Sequence, residues 1–381
     1  MNKKVVILLN TAWNLLNFRE GLIRSLVAEG YEVVAVAPRD DYAEHLTKLG
    51  CRFVPLSMDN QGTNPILDLL LLWHLFRLLK IEQPDVCLSY TVKPNVYGSI
   101  AAQALGIPVI NNIAGLGAVF IKGGWLNQLV IGLYRLALAR SRKVFFQNDD
   151  DRQLFIRRRL VKEGVTDLLP GSGVNLAKFS PTYLPGKTKV HFLLIARMLW
   201  DKGVGEFVEA ARLLKQRGVD AEFSLLGFLD VQNPAAISQQ RMDKWVAEGA
   251  IRYLGVSDDV RVEITQADCV VLPSYREGTP RTLLEAAAMS RPIITTDAVG
   301  CREVVDDGVN GLLCKPKDAL DLADKMEQII SMSHYEREEM GRRGREKVRR
   351  EFDEQIVIKK YLSAIEAVLT TKFSEIPGSR N

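Results

Sequence analysis

Short runs of consecutive apolar residues alternate, along the first half of the chain, with longer stretches whose apolar positions recur every three or four residues. Val5–Leu9 (VVILL) precedes Phe18–Glu29, Glu32–Ala37 precedes Asp41–Leu49, Arg52–Leu56 precedes the leucine-rich Ile66–Leu79, and Asp85–Tyr90 precedes Val96–Ala104, with VIN following Pro108. Unbroken apolar runs of this length suit strands covered on both faces, and the three-to-four spacing suits helices with one buried face. Strand and helix in alternation predict a parallel sheet wound by helices on both sides. The cycle then restarts with VHFLLIA (190–196), helix Val204–Arg217, AEFSLLG (221–227), helix Ile237–Glu248, ADCVVLPS (267–274), helix Pro280–Ala288, PIITT (292–296) and VNGLLC (309–314). The expected fold is α/β with two Rossmann-like domains. Between them, PGSGVNLAKFSPTYLPGK (170–187) is rich in Gly and Pro and lacks apolar periodicity, as a hinge does. The predicted boundaries are 1–180 and 181–355, followed by 356–381, an amphipathic helix (QIVIKKYLSAIEAVL) packing back on the first domain and a frayed SEIPGSRN tail.

Composition supports two cores, because single cores stop growing at roughly 250–300 residues and this chain has 381, 47% of them hydrophobic and 25% charged. Disorder is excluded by that balance. The run Ile66–Leu79 is interrupted by Asp68, His74 and Arg77 and falls short of the about 20 apolar residues of a bilayer span. Val5–Leu9 is too short for the apolar region of a signal peptide. Five cysteines, odd in number, widely spaced and without a C-x-x-C pair, predict a reducing cytoplasm and neither a disulfide framework nor a zinc site.

Charge is distributed unevenly. Residues 1–185 hold 21 Lys and Arg against 15 Asp and Glu, and residues 186–381 hold 29 against 31. A modestly basic first half fits an anionic lipid surface or an ordinary solvated one, and it lacks the dense basic stripe of a nucleic-acid channel. Arg140, Arg142 and Lys143 after LVIGLYRLALA, Arg157–Arg159, and the leucine-rich helix are the elements that would lay this half on an anionic leaflet.

The segment SYREGTPRTLLEAAAMSRPIITT (274–296) carries the most chemistry. It leaves a strand, crosses a short loop with Gly278 and Thr279, and enters a helix whose first residue is expected to be Pro280, where a missing N–H is harmless. A helix opening at the carboxyl end of a parallel strand is an anion site, since its unpaired N–H groups and its dipole face the ligand. Glu277 precedes this helix start and Glu285 lies about one and a half turns inside it, at about 1.5 Å rise per residue. The two carboxylates thus flank a diphosphate site, one for a sugar and the other for a ribose. Two glutamates exposed on a helix surface would show the same spacing.

This stretch resembles the signature of glycosyltransferase family 4, E-x(7)-E, read here as E-G-T-P-R-T-L-L-E from Glu277 to Glu285. IARMLWDKGVGEFVEAARLL (195–214) is similar to the family's R-x(4)-K-G element, GSGVNLAKFSP to its interdomain segment, YLG (253–255) to its base-contacting strand end and GVNGLLCKPKDALDLADKM to its late helix entry. The resemblance implies a retaining, two-domain GT-B enzyme whose domains face across a cleft. It assigns Arg197 and Lys202 to the leaving diphosphate, Glu277 to catalysis, and Gly278, Thr279, Pro280, Arg281, Thr282, Glu285, Leu254 and Gly255 to donor binding. Breaking an anomeric C–O bond builds negative charge on the departing phosphate, so a site without metal must supply cations and N–H donors there. Arg197, Lys202 and the helix start at Thr279–Thr282 answer that need. His45, His74, His191 and His334, the only histidines, stand in no loop at a strand's carboxyl end. The retaining mechanism, in which the leaving phosphate can take the acceptor proton, fits that lack.

Two departures from the family concern the first domain. NTAWN replaces a glycine-rich loop after the first strand, and SYTVKPNVYGS has Thr91, Val92 and Lys93 where many relatives carry a histidine. Asn14, Lys93 and Asn95 remain as acceptor-side candidates, with a simple KPN turn as the alternative for the last two. Asp149-Asp150-Asp151 after VFFQ reads either as a divalent-metal ligand set or as the acidic first turn of a helix; the helix reading is preferred, and no metal or other cofactor is expected. SYTVKPNVYGS, INNIAGLGAVF and REGTPRTLLEA look most like members that use UDP-N-acetylgalactosamine or related donors. The expected reaction moves a hexose or N-acetylhexosamine from a UDP-sugar, with GDP-mannose as the alternative donor, to a lipid-diphosphate-linked saccharide in bacterial glycan assembly. Its expected setting is peripheral, at the inner face of the cytoplasmic membrane. The rivals are a GT-B sugar-nucleotide 2-epimerase, disfavoured by the lack of cleft histidines, and a non-catalytic sugar-nucleotide-binding subunit, disfavoured by the presence of Arg197, Lys202, Glu277 and Glu285.

Overall fold

A computed structural model describes residues 3–374 except 60, 61, 63, 116–124, 187, 188, 230 and 232. Residues 116–120 of INNIAGLGAVF and 375–381 of the tail lie outside the described residues. The chain parts into two compact units, one running to Ser172 and resuming at Gln355, the other Gly173–Glu354.

In the first unit, β1 (Lys4–Leu8) is paired in parallel on both sides, with β2 (Glu32–Ala37) and β4 (Val86–Tyr90). Adding β3 (Arg52–Pro55), β5 (Val109–Ile113), β6 (Lys143–Phe146) and β7 (Thr166–Leu168) gives a seven-stranded sheet in the order β3-β2-β1-β4-β5-β6-β7. Successive side chains of a strand face opposite ways. Val5 and Ile7 therefore pack under α1 (Ala12–Ala28) and α2 (Ala43–Thr47), while Val6 and Leu8 pack under α3 (Pro65–Glu82) and α4 (Ser99–Ala104). Tyr134 and Leu138 of α5 (Trp125–Leu138) and Phe155 of α6 (Asp149–Arg157) fill a further cluster against Val144 and Phe146.

The second unit has six parallel strands in the order β10-β9-β8-β11-β12-β13. They are β8 (Val190–Ile195), β9 (Ala221–Leu226), β10 (Arg252–Tyr253), β11 (Cys269–Leu272), β12 (Ile293–Thr296) and β13 (Gly311–Cys314). Around them lie α7 (Val204–Gln216), α8 (Gln239–Ala247), α9 (Arg261–Gln266), α10 (Arg281–Ala288), α11 (Ala319–Ser331) and α12 (His334–Glu351). Strand order reverses between β1 and β4 in one sheet and between β8 and β11 in the other. In open parallel sheets the crevice beyond such a switch point is where ligands bind.

The first boundary moves from 180 to 172, and backbone pairing is the reason. Val174 donates its N–H to Phe352 at 2.9 Å and accepts from Glu354 at 3.1 Å, the Asn175 amide reaches the Glu354 carboxylate at 2.6 Å, and Phe179 is buried in the second core. Most of the segment read as a hinge is thus stitched into the second unit. The last helix, α13 (Glu354–Ser374), packs on the first unit: Tyr361 is fully buried, meets Phe145 edge-on at 5.0 Å, and its hydroxyl accepts from Asn112 at 2.9 Å. β7, α9 and α12 were not expected from the apolar pattern.

Candidate functional site

The loops after β8 and β11 meet at the switch point of the second sheet. Gly203 is in the left-handed region (φ +74°), and a Cβ there would stand 2.1 Å from the Pro273 carbonyl oxygen. Only glycine lets the two loops come this close. Ser274 Oγ contacts the Asp201 carbonyl at 3.1 Å and Glu277 Oε1 at 2.8 Å, and Tyr275 donates its N–H to the Asp201 carbonyl at 2.9 Å. With the loops so joined, the Lys202 ammonium forms an ion pair with Glu277, both side chains being less than a fifth exposed. Arg197, five residues earlier on the same loop, is exposed. The lysine of R-x(4)-K-G and the first glutamate of E-x(7)-E, 75 positions apart in sequence, are in direct contact.

Helix α10 begins beside them. Pro280 is not its first residue as expected but its cap, with extended backbone, and the helix runs from Arg281. The missing N–H still costs nothing, because the first amides of a helix have no intrahelical partner. Glu285 is 8% exposed and Arg281 Nε donates to it at 2.8 Å. Burial raises the Glu285 carboxyl above the ordinary carboxylate range, against the opposing pull of Arg281 and Lys178. At the neighbouring strand end Leu254 is exposed, and the carbonyl of Gly255 accepts from the Gly227 N–H at 2.7 Å. Trp200, Phe228 and Val256 add exposed apolar surface at the carboxyl ends of β8, β9 and β10.

In the first unit the candidates fare differently. Asn14 sits in the first turn of α1, where its amide donates to Asn10 at 2.8 Å. Lys93 is taken by Asp68 of α3 at 2.7 Å, with Tyr97 donating to the other carboxylate oxygen at 2.8 Å. Asn95 is 1% exposed; it donates to the Asn112 carbonyl at 2.8 Å and accepts from Asn111 at 2.9 Å. Asn95 is therefore an interior network residue and is corrected from an acceptor contact, and the Lys93 ammonium is likewise held within its own unit. The KPN segment forms a π-type turn, Pro94–Gly98, running into α4. The acidic triplet forms the first turn of α6: Asn148 is the cap, its side chain accepting from the Asp151 N–H at 2.8 Å, and Asp149 pairs with Arg152 at 3.2 Å. Among the described residues no group of three or more His, Cys, Asp or Glu is disposed to hold a metal ion.

Two residues that shape the site were missed. Ser274 is fully buried and its hydroxyl holds the Glu277 carboxylate. Gly300 (φ +86°) lies against the Glu277–Gly278 backbone, where a Cβ would stand 2.2 Å from the Glu277 carbonyl oxygen. The serine's place at the end of an apolar strand was a usable signal. The glycine follows a different strand, and no local pattern marked it.

Two family models match the chain, one described as a glycosyl transferase 4-like domain over residues 18–171 and the other as glycosyl transferases group 1 over 189–332. The chain is 30% identical to the N,N'-diacetylbacillosaminyl-diphospho-undecaprenol alpha-1,3-N-acetylgalactosaminyltransferase of Campylobacter jejuni, over 93% of this chain and 96% of that protein. It is 25% identical to the UDP-Gal:alpha-D-GlcNAc-diphosphoundecaprenol alpha-1,3-galactosyltransferase of Escherichia coli, over 74% of each. Among solved structures, an Anabaena protein in complex with UDP and glucose superposes with a TM-score of 0.78 at 16% identity, over 96% of this chain and 100% of that one. Sucrose-phosphate synthase from Thermosynechococcus elongatus superposes with a TM-score of 0.79 at 19% identity, over 97% and 100%. Two switch points in two parallel sheets, one of them bringing Lys202 onto Glu277 at the mouth of a helix, are the parts of a GT-B fold, and with these matches the chain belongs to the group 1 glycosyl transferases and is a glycosyltransferase.

Proposed function

We propose that the enzyme moves a hexose or N-acetylhexosamine from a UDP-sugar to a saccharide linked to a lipid diphosphate, with retention at the anomeric carbon and without a metal ion, at an anionic membrane surface on the cytoplasmic side. The observation that carries this reading is the contact of Lys202 with Glu277 beside the start of α10. A diphosphate entering there meets Lys202, exposed Arg197 and the amides around Thr279–Thr282, which together stabilise the charge that develops on the leaving phosphate. It also releases Glu277 from Lys202, leaving that carboxylate to orient the transferred sugar. Glu285, buried one turn further, is suited to ribose hydroxyls, and the Leu254–Gly255 edge to the base. The Campylobacter and Escherichia relatives supply the substrate class, since both names specify a diphospho-undecaprenol-linked saccharide and the second specifies a UDP-sugar.

The test incubates the purified chain with UDP-N-acetylgalactosamine, UDP-galactose, UDP-N-acetylglucosamine or GDP-mannose, with and without a polyprenyl-diphosphate-linked saccharide. UDP release that depends on acceptor, and a product with the donor's anomeric configuration by NMR, are expected. UDP release that ignores the acceptor, with a 2-epimeric sugar as product, would overturn the proposal.

A further inference from the structure

Helix α3 needs only part of its apolar surface to cover the sheet. Leu71, Leu75 and Leu79, four residues apart, are at most 4% exposed and pack with Val6, Leu8 and Val36. Its first half nevertheless turns five further large apolar side chains to solvent: Ile66 (68% exposed), Leu67 (45%), Leu69 (67%), Leu70 (48%) and Trp73 (50%). At about 100° per residue, Ile66, Leu70, Trp73 and Arg77 fall on one line down the helix, with Leu69 beside it. Singly exposed apolar residues need no explanation, but a contiguous patch marks a docking surface.

Charge on this helix is sorted in the same direction. Both of its acids face inward and are paired, Asp68 with Lys93 and Glu82 with Arg52 and Lys4. The ionisable groups left on the outer face are His74, Arg77 and Lys80, and the Arg77 guanidinium lies 4.7 Å from the centre of the Trp73 ring. The outer face is thus apolar in its first turns, cationic in its last turns apart from the exposed Ile81, and free of carboxylate. Because α3 follows β3, its apolar half begins at the carboxyl edge of the sheet, the same edge as the loops after β1 and β4. Among the described residues no helix is long and apolar enough to cross a membrane.

We infer that α3 is the element that seats the first unit in an anionic bilayer, its Ile66, Leu69, Leu70 and Trp73 entering the boundary between headgroups and acyl chains and Arg77 and Lys80 meeting lipid phosphates. A helix with an apolar stripe flanked by cations, and an indole at the margin, lies in that interface rather than across it. A second copy of the chain is a poorer occupant, because its matching face carries the same basic groups and no anion. The inference rests on the lipid-linked acceptor proposed above, and it adds which surface meets the lipid.

The test uses the full chain with vesicles of phosphatidylcholine alone or mixed with phosphatidylglycerol. The wild type is expected to sediment with mixed vesicles and to show a blue shift of tryptophan emission that Trp73→Phe removes without loss of binding. Combining Ile66→Ser, Leu69→Ser and Trp73→Ser should lower partitioning at least about tenfold, and combining Arg77→Ser with Lys80→Ser should remove the preference for anionic lipid. Circular dichroism and the thermal shift given by UDP verify that the variants are folded. Wild type that stays in the supernatant, a triple variant that sediments as well as wild type, or a wild-type dimer that the triple variant splits would each overturn the inference. Transfer in detergent micelles separates the two proposals: vesicle binding without transfer counts against the acceptor, and transfer without vesicle binding counts against α3.

Discussion

Lys93 and Lys202 both stand just past a central strand of their sheet, and both are ion-paired, but their partners differ in kind. Lys93 is held by Asp68, a residue of the helix that covers its own sheet, with Tyr97 completing the carboxylate's bonds. Lys202 is held by Glu277, in the loop that leaves the adjacent strand across the switch point. One pair ties a turn to the body of the first unit. The other places opposite charges at the mouth of a helix, where an entering diphosphate can part them. Of the described first-edge candidates, Lys93 and Asn95 are spent on internal bonds, whereas on the proposed reading the Lys202–Glu277 pair at the second edge opens for a ligand.

The sharpest way to break this contrast is to remove each lysine. Lys202→Ala should lower turnover by about 10²–10³-fold, the usual loss when a donor to developing negative charge is deleted. Lys93→Met should leave turnover close to wild type and lower stability by about 1–2 kcal/mol, because Asp68 loses a charged partner at a site 16% exposed. Steady-state kinetics with saturating donor and thermal unfolding of both variants decide it. Equal losses of turnover would mean that the first edge also takes part in the chemistry.

Gly300 offers a second test, aimed at geometry rather than charge. A methyl at this position cannot coexist with the Glu277 and Gly278 carbonyl oxygens at 2.2 and 2.5 Å, so Gly300→Ala must push the Glu277 loop outward. A displacement on the order of 1 Å at a positioning residue can reduce turnover about 100-fold, and the positive φ adds about 1 kcal/mol of strain. Retained turnover in a folded variant would show that the loop tolerates movement and that Glu277 is not held by it.

The two glutamates sharpen the division within the second edge. Glu277→Gln should chiefly lower kcat and Glu285→Gln should chiefly raise the donor KM, each by about 1.5–3 kcal/mol, or roughly 10- to 150-fold. pH supplies an independent readout. On the proposed reading Glu285 would accept ribose hydrogen bonds as a carboxylate, the form present above its pKa, and burial raises that pKa above the ordinary carboxylate range. Donor affinity should therefore fall as pH drops through this raised value, and Glu285→Gln should flatten the dependence. A reversed pattern of kcat and KM would place the donor the other way round.

Much of this second edge was legible from sequence because its parts are local: a strand, a glycine loop, a helix start and charges at fixed spacing. What was not legible depends on contacts between distant positions. Gly300 meets Glu277 across two strands. Val174 finds Asp353 and Glu354, which moves the unit boundary to 172 and turns a supposed hinge into a seam. α12 was missed because HYEREEMGRRGREKVRRE has too few apolar residues for a period. Its start was nevertheless written as S-x-x-E, and Ser333 and Glu336 do form a reciprocal capping box. The helix is held by Arg345 bonds to the carbonyls of Ala288 and Phe179 and by Gly341, whose missing side chain admits the Ser290 carbonyl. Asn95 misled for the opposite reason, since a buried polar residue after a central strand looks like a ligand until its partners in β5 are seen, and the Asp68 partner of Lys93 in α3 is equally invisible in the local sequence.

The smallest expected effect is that of removing divalent metal, and it tests the contrast from the first unit's side. On the proposed reading, negative charge on the leaving diphosphate is met in the second unit by Arg197, Lys202 and the start of α10, so the reaction should proceed at unchanged rate in EDTA. In the first unit, Asp149-Asp150-Asp151 has the composition of a metal ligand set, but its geometry is that of a capped helix start: Asp151 is 1% exposed and tied to Asn148, and Asp149 faces Arg152. Carboxylates in the first turn favour a helix without any ion. Substituting Asp149→Asn should then cost at most about 1 kcal/mol of stability and leave kcat unaltered. Loss of activity on chelation, restored by manganese and abolished by Asp149→Asn, would move the diphosphate site to α6 and erase the distinction between the two edges.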